Sequence, residues 1–253
     1  MINAVRSEWI KLRTIRMNWV LVIIAIAFPM IVSILTAALN DDSGFDAEDL
    51  LGVVQGTSVV TGMLLGVIGA ATVTGEFGFG TIRPTFAATP KRLVVIVAKA
   101  FVTIVVAVAV EAAVVLGTFF IAGGIAEGRD RTIDLADAPN GKPAIVGIVA
   151  FAAIIGLLGF GLGLLIRNTP ATVAILVLWP LVAEGIIGAL LNVAGVEHPF
   201  KFLPYNAGIS MANPESNPDT AEQLSRVAAG LYFFGVTAVV TALGALSTTK
   251  RDA

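Results

Sequence analysis

The chain of 253 residues has no cysteine and a single histidine, His198. The first absence excludes a disulfide framework, a thiolate metal site and a thiol nucleophile, and the second excludes a histidine-rich metal centre. Charge is scarce too: Asp, Glu, Lys and Arg make up 13% of the residues, against roughly 25% in a typical soluble domain. No polar stretch reaches domain size, so a soluble catalytic or motor module has to sit on another chain. The strings G-x-S-x-G, H-E-x-x-H and G-x-x-x-x-G-K-[ST] do not occur, which removes the common signatures of serine hydrolases, zinc peptidases and P-loop ATPases. The one Gly-Lys pair, Gly141-Lys142, runs into Pro143. Gly159-x-Gly161 lies in an apolar run with no strand before it, so it is no dinucleotide loop. His198, alone beside Pro199, reads as a surface residue.

What the chain has in abundance is apolar side chains, 57% of the total. A soluble protein this apolar has too little polar surface to cover itself, and a bilayer is the solvent that fits. A helix needs roughly 20 apolar residues to cross the hydrocarbon. Six stretches qualify, at about Asn18–Leu39, Val53–Thr74, Leu93–Ile121, Pro143–Ile166, Pro170–Val193 and Arg226–Leu246. The expected fold is an all-α integral membrane protein of six transmembrane helices, one transmembrane domain over 1–253. The first stretch exceeds the h-region of a signal peptide and is expected to be retained. Pro29 and Pro180 fall inside spans one and five and should kink them. Thr169-Pro170 reads as an N-cap followed by proline at the first helical position, which makes Arg167-Asn168-Thr169 a tight turn.

The loops sort by charge. One side receives Arg6, Lys11, Arg13, Arg16, Arg83, Lys91, Arg92, Lys99, Arg167, Lys250 and Arg251, with only Glu8, Glu76 and Asp252 among them. The other receives Asp41, Asp42, Asp46, Glu48, Asp49, Glu127, Asp130, Asp134, Asp137, Glu197, Glu215, Asp219 and Glu222. Its cations are Arg129, Arg131, Lys142, Lys201 and Arg226. Cations divide eleven to five, and the positive-inside rule puts the basic side, with both termini, in the cytoplasm.

Three segments are not spans. In residues 1–17, Ile2, Val5, Trp9 and Leu12 share one helical face while Arg6, Lys11 and Arg13 lie away from it. That pattern predicts a basic amphipathic helix lying flat in the headgroup layer. Residues 76–92 form the longest loop of the basic side. Thr81 is placed to cap a short helix, Pro84 is tolerated in its first turn and Pro90 stops it. Ile82 and Phe86 then share a face, which either docks into a groove on a partner or lies on lipid. Residues 195–225 hold Phe200, Phe202 and Tyr205, an aromatic interfacial belt. Pro199, Pro204, Pro214 and Pro218 forbid one long helix there, so a re-entrant or interfacial piece is expected. Thr220 to Gln223 has capping-box spacing before the last span.

Two acids, Glu111 and Glu184, fall in spans three and five. Each must face a cavity or a polar neighbour, or be protonated. They form either a cation or proton site or a structural hydrogen bond to a neighbouring helix. Glu111 is the candidate for a position nearer the outer interface, because span three is long. Gly52, Gly56, Gly62 and Gly66, with Gly156, Gly159, Gly161 and Gly163, make small-residue faces for close helix packing or a dimer contact.

Ser7-Glu8-Trp9 and Lys11-Leu12-Arg13-Thr14 before span one, with Glu76-Phe77, Gly80-Thr81-Ile82-Arg83, Thr85, Pro90 and Lys99 after span two, resemble the ABC-2 family of ATP-binding-cassette exporter permeases, in particular its small bacterial members. The six-span order matches over nearly the whole chain. Pro84 departs from the pattern, standing where a non-proline helix former is expected. The resemblance implies a permease dimer, of two copies or with a sister chain, above two ABC ATPase subunits that carry the ATP and Mg. It makes Glu76, Phe77, Gly80, Thr81, Ile82, Arg83 and Phe86 the ATPase-coupling segment. Trp9, Lys11 and Arg13 fall on a connecting helix packed beside it, and 195–225 becomes the re-entrant mouth. It further implies a multi-pass protein of a bacterial inner membrane, without catalysis, cofactor or metal on this chain and without a nucleic-acid partner. Two other functions fit the residues alone: a proton- or cation-coupled secondary carrier using Glu111 or Glu184, and a non-transporting immunity factor. The substrate is not legible.

Overall fold

Six helices are long and apolar enough to cross a membrane, and no strand occurs among the described residues. The computed structural model describes residues 1–39, 46–88, 91–128, 133–135, 138–213 and 223–250. The proposed capping box at Thr220, Pro90 as a helix stop, Pro214 and Pro218, and the loop charges Asp41, Asp42, Arg129, Asp130, Arg131, Asp137, Glu215, Asp219, Glu222, Arg251 and Asp252 lie outside that set.

The chain opens with α1 (Ile2–Thr14) and turns at Ile15 into span one, α2 (Arg16–Leu39). Span two is α3 (Ala47–Gly78), followed by the short α4 (Ile82–Ala88) and span three, α5 (Arg92–Glu127). Span four is α6 (Gly141–Ile166). Span five is α7 (Thr169–Leu178), a π-helical turn Trp179–Ala183, and α8 (Glu184–Val193). A 3-10 turn (Pro199–Phe202) and α9 (Pro204–Met211) precede span six, α10 (Arg226–Lys250). The expected spans are all there, but α3 and α5 run on past their apolar stretches. At 1.5 Å per residue they measure about 48 and 54 Å, well beyond a hydrocarbon core of about 30 Å.

Each proline in a span has its local solution. Pro29 has no N–H for the carbonyl one turn back, Ala25 O, and the Thr61 hydroxyl of α3 donates to that oxygen at 3.2 Å. Pro180 sits in the π turn, where the Glu184 N–H reaches Trp179 O, so the wider turn absorbs the missing donor. At the α6–α7 turn the cap falls one residue earlier than Thr169. Arg167 takes a left-handed conformation (φ 58°), the Asn168 side chain accepts from Ala171 N at 3.0 Å, and Pro170 occupies the first turn. The Thr169 hydroxyl instead donates to Thr74 of α3 at 2.7 Å.

The core is organised around α6, the most buried span, which packs against α3, α5, α7, α9 and α10. Its glycines make this possible. A Cβ at Gly159 would collide with the Gly66 backbone of α3, and one at Gly161 would press on Thr241 of α10 at 2.5 Å. The small faces of Gly62, Gly66, Gly156, Gly159, Gly161 and Gly163 therefore serve packing within the chain. Gly52 and Gly56 have open space instead. At the acidic end α9 leans into the bundle. Tyr205 is buried, its ring 5.5 Å from Phe151 and 6.5 Å from Phe233. It is a core anchor rather than part of an interfacial belt, while Phe200 and Phe202 are exposed.

Candidate functional site

At the basic end, the overrun of α3 carries Glu76 beyond the packed bundle and the first turns of α5 carry Lys99. Between them α1 lays Glu8 and Lys11. The four side chains meet. The Lys99 ammonium donates to Glu8 Oε2 at 2.6 Å, to Glu76 Oε1 at 2.8 Å and to Thr72 O at 3.1 Å, which uses all three of its protons. The Lys11 ammonium donates to Glu8 Oε1 and Glu76 Oε1, both at 2.8 Å. Lys99 is 3% exposed and Glu8 7%. Two acids and two cations cancel in charge, and this is what lets Lys99 sit inside. Burial works against a charge on Lys11, but the hydrogen bonds and charges of Glu76 and Glu8 outweigh it and hold its pKa above 10.5. Glu76 Oε2 has no partner among the described residues, and Glu76 lines a cavity of about 320 Å³ with residues of α1 to α5.

This arrangement differs from a helix floating on headgroups. The best-buried residues of α1 are Glu8 and Leu12; Val5 packs on the α2–α3–α5 core, while Ile2 and Trp9 of the same apolar stripe are exposed.

The short helix α4 hangs beside this cluster. Phe79 caps α3, and Gly80, at φ +68°, turns the chain in a conformation that favours glycine. Thr81 does not cap α4 through its side chain; its hydroxyl points back to Glu76 O at 3.5 Å. Pro84 is accommodated in the first turn. Ile82 and Phe86 do share a face, but that face is closed within the chain against Val95 and Phe77, with the Arg92 guanidinium 5.4 Å above the Phe86 ring. What α4 offers outward is Arg83, beside an 87% exposed Phe79. Arg92 and Arg167 also close the end of span six, donating to Thr249 O at 3.2 Å and Ser247 O at 2.9 Å. Arg167 stacks 5.0 Å from Phe77 as well.

The two intramembrane acids part company. Glu184, fully buried, receives four N–H donors: Trp179 Nε1 at 3.1 Å, Tyr205 N at 2.7 Å, Asn206 N at 3.0 Å and Asn206 Nδ2 at 2.7 Å. Its carboxylate caps the first turn of α9 from another helix, where bare N–H groups and the helix dipole favour an anion. Glu111, equally buried, has no partner for either oxygen among the described residues. It lies near the middle of α5, between Ala107, which faces Gly156, and Val115, which clusters with Val54 and Ile148.

Sequence reasoning named Lys11 and Glu76 and noted Glu8 and Lys99, but it did not bring the four together. It missed Phe79 and Asn206. One signal was available for the cluster: Glu8 and Glu76 are acids stranded on the basic side. Nothing in the local pattern around Asn206 marks it.

The fold is that of a multi-pass helical membrane protein whose long second and third spans project a charge-neutral joint at the basic end. A family model described as ABC-2 family transporter protein matches residues 4–179, from α1 through α7. The chain belongs to that family and is a membrane permease component. No curated protein matches it.

Proposed function

We propose that the chain is the permease subunit of an ATP-driven exporter, paired with a second permease and driven by two separate ABC ATPase subunits that bind ATP and Mg. The observation that carries this reading is the Glu8–Lys11–Glu76–Lys99 joint. A push delivered to α4 from below passes through the packing of Ile82 and Phe86 on Phe77 and Val95 to the end of α3 and the start of α5, and the joint ties both to α1 through short charge-assisted bonds, which are the stiffest polar contacts available. In this reading α4 is the coupling helix and α1 the connecting helix. The basic end faces the cytoplasm of a bacterial cell, with both termini on that side.

Because Ile82 and Phe86 are committed to their own protomer, the contact with the ATPase passes to Phe79 and Arg83. Phe79→Ala combined with Arg83→Glu is expected to abolish co-purification of the ATPase from native membranes and to leave the thermal midpoint of the permease unchanged. Undiminished capture of the ATPase by this variant would overturn the docking assignment.

One observation favours a second reading. Glu111 is a fully buried acid near the middle of α5 with no hydrogen-bond partner among the described residues, as a proton or cation carrier requires. Glu184 drops out of that role because its oxygens are already occupied. A carrier would transport in vesicles without any ATPase, and Glu111→Gln would stop it.

A further inference from the structure

We propose that the groove between α1, α2 and α5 binds one anionic phospholipid, of the phosphatidylglycerol type, from the leaflet at the basic end. The groove holds about 320 Å³ and lies at the corner where α1 turns into span one. Its floor is apolar, with Val22 from α2 and Val106 and Val110 from α5, and it is shaped to take an acyl chain. The neighbouring lipid-facing side chains Ile23, Ile24 and Val105 are exposed, so the groove opens to the bilayer rather than to the bundle.

The rim is what selects the headgroup. The Arg13 guanidinium is exposed and has no hydrogen bond or ion pair among the described residues. The described acids of the basic end, Glu8 and Glu76, are held by Lys11 and Lys99 in the joint, and Arg13 has no ion pair among the described residues. Trp9 and Trp19 flank it, both part exposed, and amphipathic rings of this kind favour a membrane interface. The Trp19 indole is spent on Arg13 O at 2.8 Å, which fixes the corner, while the Trp9 indole N–H has no partner among the described residues. Asn18 also lines the groove and is 3% exposed. Its Nδ2 donates to Leu12 O at 3.0 Å, and its Oδ1 has no donor among the described residues. A phosphate meets Arg13 and the Trp9 N–H, and a headgroup hydroxyl gives Asn18 Oδ1 its missing bond. Phosphatidylcholine has no hydroxyl to offer and no net negative charge. Leu12 and Asn18 line both this groove and the joint cavity, so the lipid braces α1 from the side opposite Glu8 and Lys11. All of its lining residues belong to α1, α2 and α5 of this chain.

The test is native mass spectrometry of the delipidated, full-length protein titrated with phosphatidylglycerol or phosphatidylcholine of matched chains. The expected result is one phosphatidylglycerol retained in preference to phosphatidylcholine. Arg13→Gln should lower that retention about five-fold, in line with the attraction of a single arginine to anionic lipid. Ala109→Phe, at the exposed rim of the groove, should lower retention of both lipids. Equal retention of the two lipids, unchanged retention in Arg13→Gln, or unchanged retention in Ala109→Phe would each overturn the proposal. So would displacement of the lipid by inorganic phosphate alone. Thermal midpoints of both variants at the wild-type value show that a loss is not one of folding, and Ala109→Phe decides the matter if Arg13→Gln does not fold.

Discussion

At the scale of single residues, the described acids and bases sort by whether their partners are complete. Lys99 spends all three protons on protein oxygens at one deeply buried point. Lys99→Met leaves Glu8 and Glu76 with one cation between them, and a buried charge stripped of its partner costs about 3–5 kcal/mol. A fall of that size in unfolding free energy, followed by denaturant titration in detergent, is the expected outcome. Glu111 and Glu184 give a sharper contrast, because the same substitution should act differently at each. Glu184→Gln replaces an acceptor of four N–H bonds with an amide that turns its own N–H toward Asn206 or Tyr205, and should cost about 1–3 kcal/mol. Glu111→Gln loses no protein hydrogen bond and should leave the unfolding midpoint where it is. A shared response would mean that the two acids have equivalent surroundings. The sequence separated them only by expected depth, Glu111 nearer the outer interface, since each is a lone acid in an apolar run. Only the return of α9 to the start of α8, 21 residues later in the chain, separates them.

At the scale of elements, hydropathy read the spans well and their ends badly. The centre of each span obeys a solvent preference that apolar composition records directly. The ends of α3 and α5 do not. There the helix continues as protein against protein, with Glu76 held in the joint and Phe77 packed on Ile82, Phe86 and Val95 rather than on lipid. The turn at Asn168 slipped by one residue for a related reason: asparagine and threonine both cap, and the Thr74 hydroxyl across the gap decided which one would. The apolar face of α4 was legible as a face, but not its destination, because Val95 lies on the next helix. The glycines of α6 read correctly as close packing. Gly159→Ala should force α3 and α6 apart where Gly66 touches Gly159. Overpacking of this kind costs about 1–3 kcal/mol, and the thermal midpoint should fall accordingly. Gly56→Ala, with open space around it, should leave the midpoint unchanged.

At the scale of the molecule, α6 is enclosed by its neighbours while α2, α7–α8 and α10 present most of their surface outward. A hub that cannot move without its surroundings and a looser periphery suit a protein that must change shape while keeping one rigid body. The joint lies at the edge of this hub, on the two spans longer than the hydrocarbon core, beside the exposed Phe79 and Arg83. If the exporter reading is right, the native mass of the complex should correspond to equal numbers of permease and ATPase chains. A permease that leaves native membranes alone would transfer the weight to the carrier reading and to Glu111. None of this was legible as an assembly from composition. It depends on Glu8 and Lys99, 91 residues apart, arriving at one place.

The bond from Thr61 to the carbonyl freed by Pro29 bears on how the protein is made. Span one, released alone into lipid, would carry an unanswered backbone oxygen at Ala25 with no water near to satisfy it. Its donor is supplied only when span two arrives. The first two spans therefore favour joint release from the insertion machinery as a hairpin, and the proline gives the second half of that hairpin a reason to find the first.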